Sequence, residues 1–180
     1  MEIIPIFEKS LSSFKYDNGS QDEFARLFDL WNDPELLEEF FEKNKSDLNN
    51  KFWDSIQIEE AIIKTRNDAS YFEKKLLKLS KKSWKEQTYG LETLFQPLDN
   101  LQTRIYVLNK SKARQSWLRI YALRVNENAF IITGGAIKLT KTMSECEHTR
   151  LELHKISKCK DFLKEKGVVD IDGVIEELEI

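Results

Sequence analysis

The chain has 180 residues, of which 41% are hydrophobic and 11% aromatic, and its formal net charge is −3. This composition favours a folded single domain and argues against intrinsic disorder. No apolar run reaches the roughly 18 residues that cross a bilayer, and the start MEIIPIFEK does not fit a signal peptide. We therefore expect a cytoplasmic protein that has no contact with a membrane.

The N-terminal part begins with extended segments and continues with helices. Alternating side chains over residues 4–15 predict one or two short strands, and the sequence NGS at 18–20 predicts a turn. Apolar residues at helical spacing over 24–31 predict a first helix. A second helix follows, with Asp33 as its predicted N-cap and Pro34 at its first position.

The longest predicted helix begins near Ile56. Its apolar stripe has separations of alternately four and three residues and consists of Ile58, Ile62, Thr65, Ala69, Phe72, Leu76 and Leu79. Such spacing fits either a homotypic coiled coil or an intramolecular helical hairpin that packs on a sheet. We favour the intramolecular packing because Thr65 and Ala69 interrupt the stripe. Residues 21–82 are accordingly predicted to form a helical insertion or hairpin.

Three strands with short connections follow, at residues 103–110, 117–125 and 129–140, and predict an antiparallel meander. A helix over residues 144–166 comes next. The predicted fold class is α+β, with an N-terminal strand and the meander forming a small antiparallel sheet. An enlarged N-terminal helical block and a C-terminal helix complete the fold, and we expect the helices to collect on one face of the sheet.

Charge is unevenly distributed along the chain. Residues 1–103 carry a net charge of −6, residues 104–166 carry +8, and residues 167–180 carry −5. The meander and last helix, over 103–166, are thus a basic block that is followed by an acidic tail. Two interpretations stay open: the three parts neutralise each other in the fold, or the basic block faces a polyanion.

Two glycines, Gly134 and Gly135, interrupt the last strand of the meander. Glycine inside a strand usually marks a bulge or a close backbone approach. A bulge shifts the alternation, so that the apolar residues on both sides of it bury on one face of the sheet: Phe130, Ile132, Ile137 and Leu139. Lys138 and Lys141 would then emerge on the open face.

The cysteines and histidines do not predict a metal site. Cys146 and Cys159 form no CxxC motif, and we expect both to be free thiols. Together with His148 and His154 they have spacings that match neither a zinc knuckle nor a zinc finger. We expect no metal and no cofactor.

A candidate site lies on the second and third strands of the meander. Arg119 and Tyr121 share one face of their strand, and Lys138 would join them on the same open sheet face. Cations and a phenol in this arrangement can hold a phosphodiester, and an aromatic ring can stack on a base. The alternative is an arginine that protects a sheet edge or forms a salt bridge.

The stretch from LETLFQPLDN through WLRIYALRVNENAFIITGGAIKLTKTM into EHTRLELHKISKCKDFL resembles the RelE/ParE toxin superfamily, particularly its HigB-like branch. The resemblance covers roughly the C-terminal half of the chain. Arg119 and Tyr121 match the arginine-bearing strand of the family. The family's segment from a glycine to lysines is matched by Gly135, Lys138, Thr140 and Lys141.

This resemblance implies the toxin-like component of a bacterial toxin–antitoxin system, acting as a metal-independent endoribonuclease on mRNA. Arg119 and Lys138 would stabilise the charged phosphorane, and Tyr121 or His148 would transfer a proton. Further RNA contacts are expected from the surrounding cations, Lys112, Arg114, Arg124 and Lys141. The expected partners are an antitoxin protein and RNA or the ribosome.

A second hypothesis keeps the RelE-like fold without catalysis. In that case the protein is an interaction domain that binds a protein partner through its helical insertion and its acidic tail.

Overall fold

The computed structural model describes residues 1–48, 53, 56–86, 90–91, 94–97, 105–108, 116–126, 129–140 and 147–167. Within these residues the strands are β1 (Glu2–Phe7), β2 (Leu11–Lys15), β3 (Phe95–Pro97), β4 (Ile105–Leu108), β5 (Leu118–Asn126) and β6 (Ala129–Ile137). The helices are α1 (Glu23–Asn32), α2 (Pro34–Lys43), α3 (Lys45–Leu48), α4 (Ile58–Glu86) and α5 (Glu147–Glu165). No helix in this part of the chain is both long and apolar enough to cross a bilayer.

The first two helices begin at aspartates that cap them. The Asp22 carboxylate accepts hydrogen bonds from two backbone N–H groups in the first turn of α1. Asp33 caps α2 in the same way, and Pro34 occupies the first helical position, where no intrahelical N–H bond is lost. The predicted start of this helix is confirmed. The turn predicted at 18–20 lies at 16–19, where the Gly19 amide donates to the Tyr16 carbonyl at 2.8 Å.

The six strands form one sheet in the order β1-β2-β6-β5-β4-β3. The α+β class is confirmed, and strands β4, β5 and β6 form the predicted antiparallel meander. The sheet is mixed, however, because β2 runs parallel to β6, with Leu11 opposite Phe130. The hairpin of β1 and β2 sets the direction of β2, and the helical block between β2 and the meander supplies the long connection that a parallel pair needs.

Helices cover both faces of the sheet, so the expectation that they collect on one face is wrong. Helices α1, α2 and α4 pack with one face, to which Ile120 and Ala122 belong. Helix α5 packs on the other face, over Tyr121 and Leu123. All nine residues of β6 are buried, and a strand that is apolar on both sides needs cover on both sides.

Helix α4 packs within the chain against α1, α2 and the sheet, as predicted for an intramolecular arrangement. Thr65, Ala69 and Leu76 of its predicted stripe are fully buried. The Thr65 hydroxyl accepts a hydrogen bond from Nε1 of Trp117 at 2.9 Å and donates to the Ala61 carbonyl at 2.7 Å. The polar residue in the stripe thus satisfies a buried indole of the sheet.

The predicted bulge in β6 is confirmed. Tyr121 of β5 lies opposite Gly134, and Ala122 lies opposite Ile132, so Thr133 is the extra residue. The apolar residues before and after the bulge belong to the same core cluster: Phe130, Ile132, Ile137 and Leu139. The bulge therefore brings both halves of the strand onto the face of α1 and α4.

Candidate functional site

The parallel pairing of β2 with β6 ends just before the bulge in β6. These two strands pair only from Leu11–Ser13 to Phe130–Ile132. The chain then leaves β2 toward α1 on one face and leaves β6 toward α5 on the other. In open α/β sheets, ligands commonly bind at the carboxyl ends of neighbouring parallel strands whose connections leave on opposite faces.

Four charged side chains meet between α1, α5 and Gly134 of β6. Glu23 of α1 and Glu152 of α5 are only 4% and 5% exposed. Nζ of Lys155 lies 2.8 Å from Oε1 of Glu152 and 3.2 Å from Oε2 of Glu23. Arg26 donates two further hydrogen bonds to the Glu23 carboxylate, both at 2.7 Å. The two cations balance the two carboxylates, so the cluster joins α1 to α5 without net charge.

Gly134 makes room for both carboxylates. A Cβ atom at this position would collide with the carboxylate of Glu152 and would lie 3.2 Å from Oε2 of Glu23. The glycine of the bulge thus has a second role beyond the register shift, because a side chain here would displace the Glu152 carboxylate from its position against β6.

A tyrosine and a cysteine lie next to the charged cluster. The Tyr16 hydroxyl donates to the carbonyl of Thr133 at 2.7 Å and lies 3.1 Å from Sγ of Cys159. Because the phenol proton of Tyr16 already bonds to this carbonyl, the Cys159 thiol donates to the phenol oxygen. Burial raises the pKa of the Cys159 thiol to about 12. Burial and the neighbouring thiol also raise the pKa of Tyr16.

Cys159 is expected to resist alkylation in the folded protein. Its side chain is buried and its thiol stays protonated at pH 8, whereas the thiolate is the nucleophile. In a Cys146→Ser background, mass spectrometry should find no iodoacetamide adduct after a time that labels the urea-unfolded chain completely. Labelling of the native and unfolded chains at similar rates would contradict the burial of this thiol.

Burial raises the pKa of Glu152, while Lys155 opposes this shift. Oε2 of Glu152 has no hydrogen-bond partner among the residues described. Burial disfavours the charged form of a carboxyl group, and the nearby Glu23 carboxylate raises the Glu152 pKa further.

We expect Glu152 to make the fold less stable as the pH rises. The unfolded chain loses this proton near the ordinary value of 4.5, before the folded chain does. The free energy of unfolding therefore falls as the pH rises above 4.5. Other carboxylates titrate in the same range, so the measured quantity is the difference between wild type and Glu152→Gln in urea denaturation at pH 4.5 and 7. From pH 4.5 to pH 7, the free energy of unfolding of the wild type should fall relative to that of the variant. A difference that stays constant or changes in the opposite direction would contradict a raised pKa of Glu152.

The predicted residues Arg119 and Tyr121 do share one face of β5, but that face is not open. Tyr121 is 1% exposed beneath α5, and its hydroxyl has no partner within the described chain. Arg119 is partly buried, which lowers its pKa, and its Nη1 donates to the carbonyls of Ser116 and Leu118 at 2.8 and 2.7 Å. The expectation of an open face at Tyr121 is wrong because α5 packs there.

Lys138 lies beside Arg119 at one end of the β5–β6 hairpin. The Lys138 amide donates to the Trp117 carbonyl at 2.8 Å, and Arg119 lies opposite Ala136. The two cations are therefore diagonal neighbours across the strands, on the same face, and both are partly exposed.

The other predicted residues do not join this pair in the described structure. Arg124 projects from the opposite face of β5, with its guanidinium 5.9 Å from the ring centre of Phe130. His148 is the second residue of α5, and the structure does not describe its side chain. Three predicted RNA-binding residues lie outside the described residues: Lys112, Arg114 and Lys141.

Sequence reasoning missed the charged cluster. Glu23 and Arg26 are three residues apart on α1, and Glu152 and Lys155 are three apart on α5. Such pairs are common on solvent-exposed helix faces, so the spacing alone does not mark them as buried. The one sequence signal for the cluster is Gly134. Its lack of a side chain leaves space for two carboxylates, but the sequence does not show that α1 and α5 supply them.

Comparisons with known proteins found no matching family model, no matching curated protein and no matching solved structure. Among the residues described, no group of three or more histidine, cysteine, aspartate or glutamate side chains is arranged to hold a metal ion.

Proposed function

We propose that this chain is the toxin-like component of a bacterial toxin–antitoxin module and cleaves mRNA without a metal ion. The observation that carries the proposal is the placement of Arg119 and Lys138 side by side at one end of the β5–β6 hairpin. These are the two cations that the resemblance to RelE/ParE toxins makes charge stabilisers.

The two cations suit the stabilisation of a phosphorane that forms when an RNA 2′-hydroxyl attacks the neighbouring phosphate. Both hydrogen bonds of Arg119 leave from Nη1, which fixes the guanidinium against the backbone before a substrate arrives. Tyr121 is buried under α5, so its hydroxyl does not reach a substrate bound at the surface. His148 is therefore the residue that we propose transfers the proton, since the sequence offered Tyr121 and His148 for this role.

Induced expression in a bacterial host is expected to slow growth and to reduce intact mRNA. The double variant Arg119→Ala/Lys138→Ala should relieve both effects, because it removes the charge that stabilises the transition state. Arg66→Ala is the matched control, since it removes an exposed cation of α4, which packs on the other side of the sheet and has no role in the proposal, and it should remain toxic. Unchanged growth and intact transcripts at high expression of the wild type would refute the nuclease.

A second candidate function is a non-catalytic interaction domain, and the burial of Tyr121 favours it. This function predicts that any growth defect persists in the Arg119→Ala/Lys138→Ala variant and that transcripts stay intact. Measuring growth and transcript integrity in the same cultures therefore separates the two.

A further inference from the structure

The outer side of the second half of α4 carries lysines and no acids. Residues 74–82, KKLLKLSKK, contain five basic and no acidic residues, although the whole chain has a net charge of −3. Leu76 is fully buried on the inner side of this segment. Lys74, Lys78 and Lys81 are exposed, and their separations of four and three residues place them in one line along the outer side of the helix.

In the part of the chain that the structure describes, the fold does not compensate this line of charge. No described residue forms an ion pair with Lys74, Lys78 or Lys81. Like charges four residues apart destabilise a helix. The negative end of the helix dipole attracts cations in the last turn only, and Lys81 lies more than one turn before the last residue, Glu86. The repulsion therefore favours an anionic partner that binds along the line.

An exposed tyrosine extends the line of lysines. Tyr71 is 43% exposed and lies three residues before Lys74, so the two side chains are neighbours on the helix surface. Nζ of Lys75 lies 5.6 Å from the centre of the tyrosine ring. From Tyr71 to Lys81 the line is about 15 Å long. Proteins bind single-stranded nucleic acids with this combination, because the cations meet successive phosphates and a base stacks on the ring.

The same side of α4 does not suit a membrane. A helix that lies in a bilayer surface inserts its apolar side. The apolar side of α4 is already buried against α1, α2 and the sheet. The anionic partner is therefore one that needs only the charged outer side and the ring.

We propose that the α4 surface, which consists of Tyr71, Lys74, Lys78 and Lys81, binds single-stranded nucleic acid. This surface is separate from Arg119, which shares the face of β5 that α5 covers, whereas α4 packs with the opposite face. The inference therefore goes beyond the proposed cleavage of mRNA and does not depend on it.

A fluorescently labelled oligothymidylate of about ten nucleotides is a suitable probe. DNA has no 2′-hydroxyl, so the proposed nuclease mechanism cannot cleave it, and failure to bind is distinct from failure to cleave. Fluorescence anisotropy should show binding to the full chain with a Kd on the order of 100 µM at physiological salt. An oligouridylate protected by 2′-O-methyl groups should bind equally well, because RNA and DNA share the phosphates and base faces.

The variant Lys74→Ala/Lys78→Ala/Lys81→Ala removes the line of charge and keeps the helix, since alanine is the best helix former. For single strands, each phosphate contact contributes about 0.7 to the slope of log K against log salt concentration. The slope should therefore become shallower by about 2 when three contacts are lost.

A second triple variant, Lys43→Ala/Lys45→Ala/Lys158→Ala, is the matched control. It removes three exposed lysines from α2, α3 and α5 and changes the net charge by the same amount. This variant should keep the affinity and the salt slope of the wild type, because the proposal depends on where the lysines lie and not on their number.

Tyr71→Ala should weaken binding about tenfold, because one base loses its stacking partner. Tyr71→Phe keeps the ring and should bind like the wild type. Oligoglutamate of similar length has the charge without the bases, so it should compete more weakly than unlabelled oligothymidylate.

Several results would overturn the proposal. They are no binding by the wild type at low salt, binding of only one of the two nucleic acids, or equal losses in the two triple variants. Tyr71→Ala that binds like the wild type, or Tyr71→Phe that loses as much as Tyr71→Ala, would also overturn it. Equal competition by oligoglutamate would show that the α4 surface recognises acidic peptides instead.

Discussion

Lys155→Met is expected to lower the free energy of unfolding by about 2–4 kcal/mol. Lys155 contacts the carboxylates of both Glu23 and Glu152, and its removal leaves Glu152 buried without a cation. The partial exposure of the lysine side chain, 29%, keeps the effect below that of a fully buried pair. Urea denaturation at pH 7, monitored by tryptophan fluorescence, measures the change.

Two comparisons test whether the buried charge causes this loss. Lys45→Met removes the lysine of an ion pair with Glu42 in which both side chains are exposed, and it should cost no more than about 0.5 kcal/mol. Adding Glu152→Gln to Lys155→Met should recover at least about 1 kcal/mol, because the uncompensated carboxylate is gone. If the second substitution lowers stability further, the lysine acts through its packing and not through its charge.

Gly135→Ala is expected to lower the free energy of unfolding by about 2–3 kcal/mol. A Cβ atom here would lie 2.5 Å from the carbonyl oxygen of Arg119 and 2.8 Å from Cδ1 of Leu27. The carbonyl belongs to the paired strand β5 and Leu27 is fully buried, so neither can move without disturbing the sheet or α1. Gly135→Val should cost more, because its two methyl groups need additional space.

Gly167→Ala provides the control for Gly135→Ala. Gly167 has a φ of 68°, which disfavours a side chain, but a Cβ there would meet no atom within 4 Å. This substitution should therefore cost only about 1 kcal/mol, the conformational preference of glycine. Equal losses at the two positions would show that the approach of Leu27 and Arg119 does not explain the glycine in β6.

Features that depend on short stretches of sequence could be predicted well. Asp33 followed by Pro34 is a local signal, since a cap and a fixed φ act within one helical turn. The double glycine in a strand likewise predicted the bulge and the shared burial of the apolar residues on both sides of it. In each case the physical cause lies within a few residues of the signal.

Features that depend on distant contacts could not be predicted. The parallel pairing of Leu11 with Phe130 joins residues that are more than a hundred positions apart, and the side chains of β2 give no signal for it. Tyr121 was predicted on an open face because the alternation of β5 does not say which face α5 covers. The cluster of Glu23 and Glu152 depends on both facts, so no single segment reveals it.

The parallel pairing of β2 with β6 also sets an order for folding during synthesis. Leu11 to Ser13 leave the ribosome more than a hundred residues before Phe130 to Ile132, their partners in the sheet. Until then the inner edge of β2 has no strand to bond, and its buried side chains have only part of their core. Long-range pairing of this kind slows folding and leaves an unpaired strand edge that is prone to aggregation. Nascent chains that stall before β6 are therefore the species that most need a chaperone.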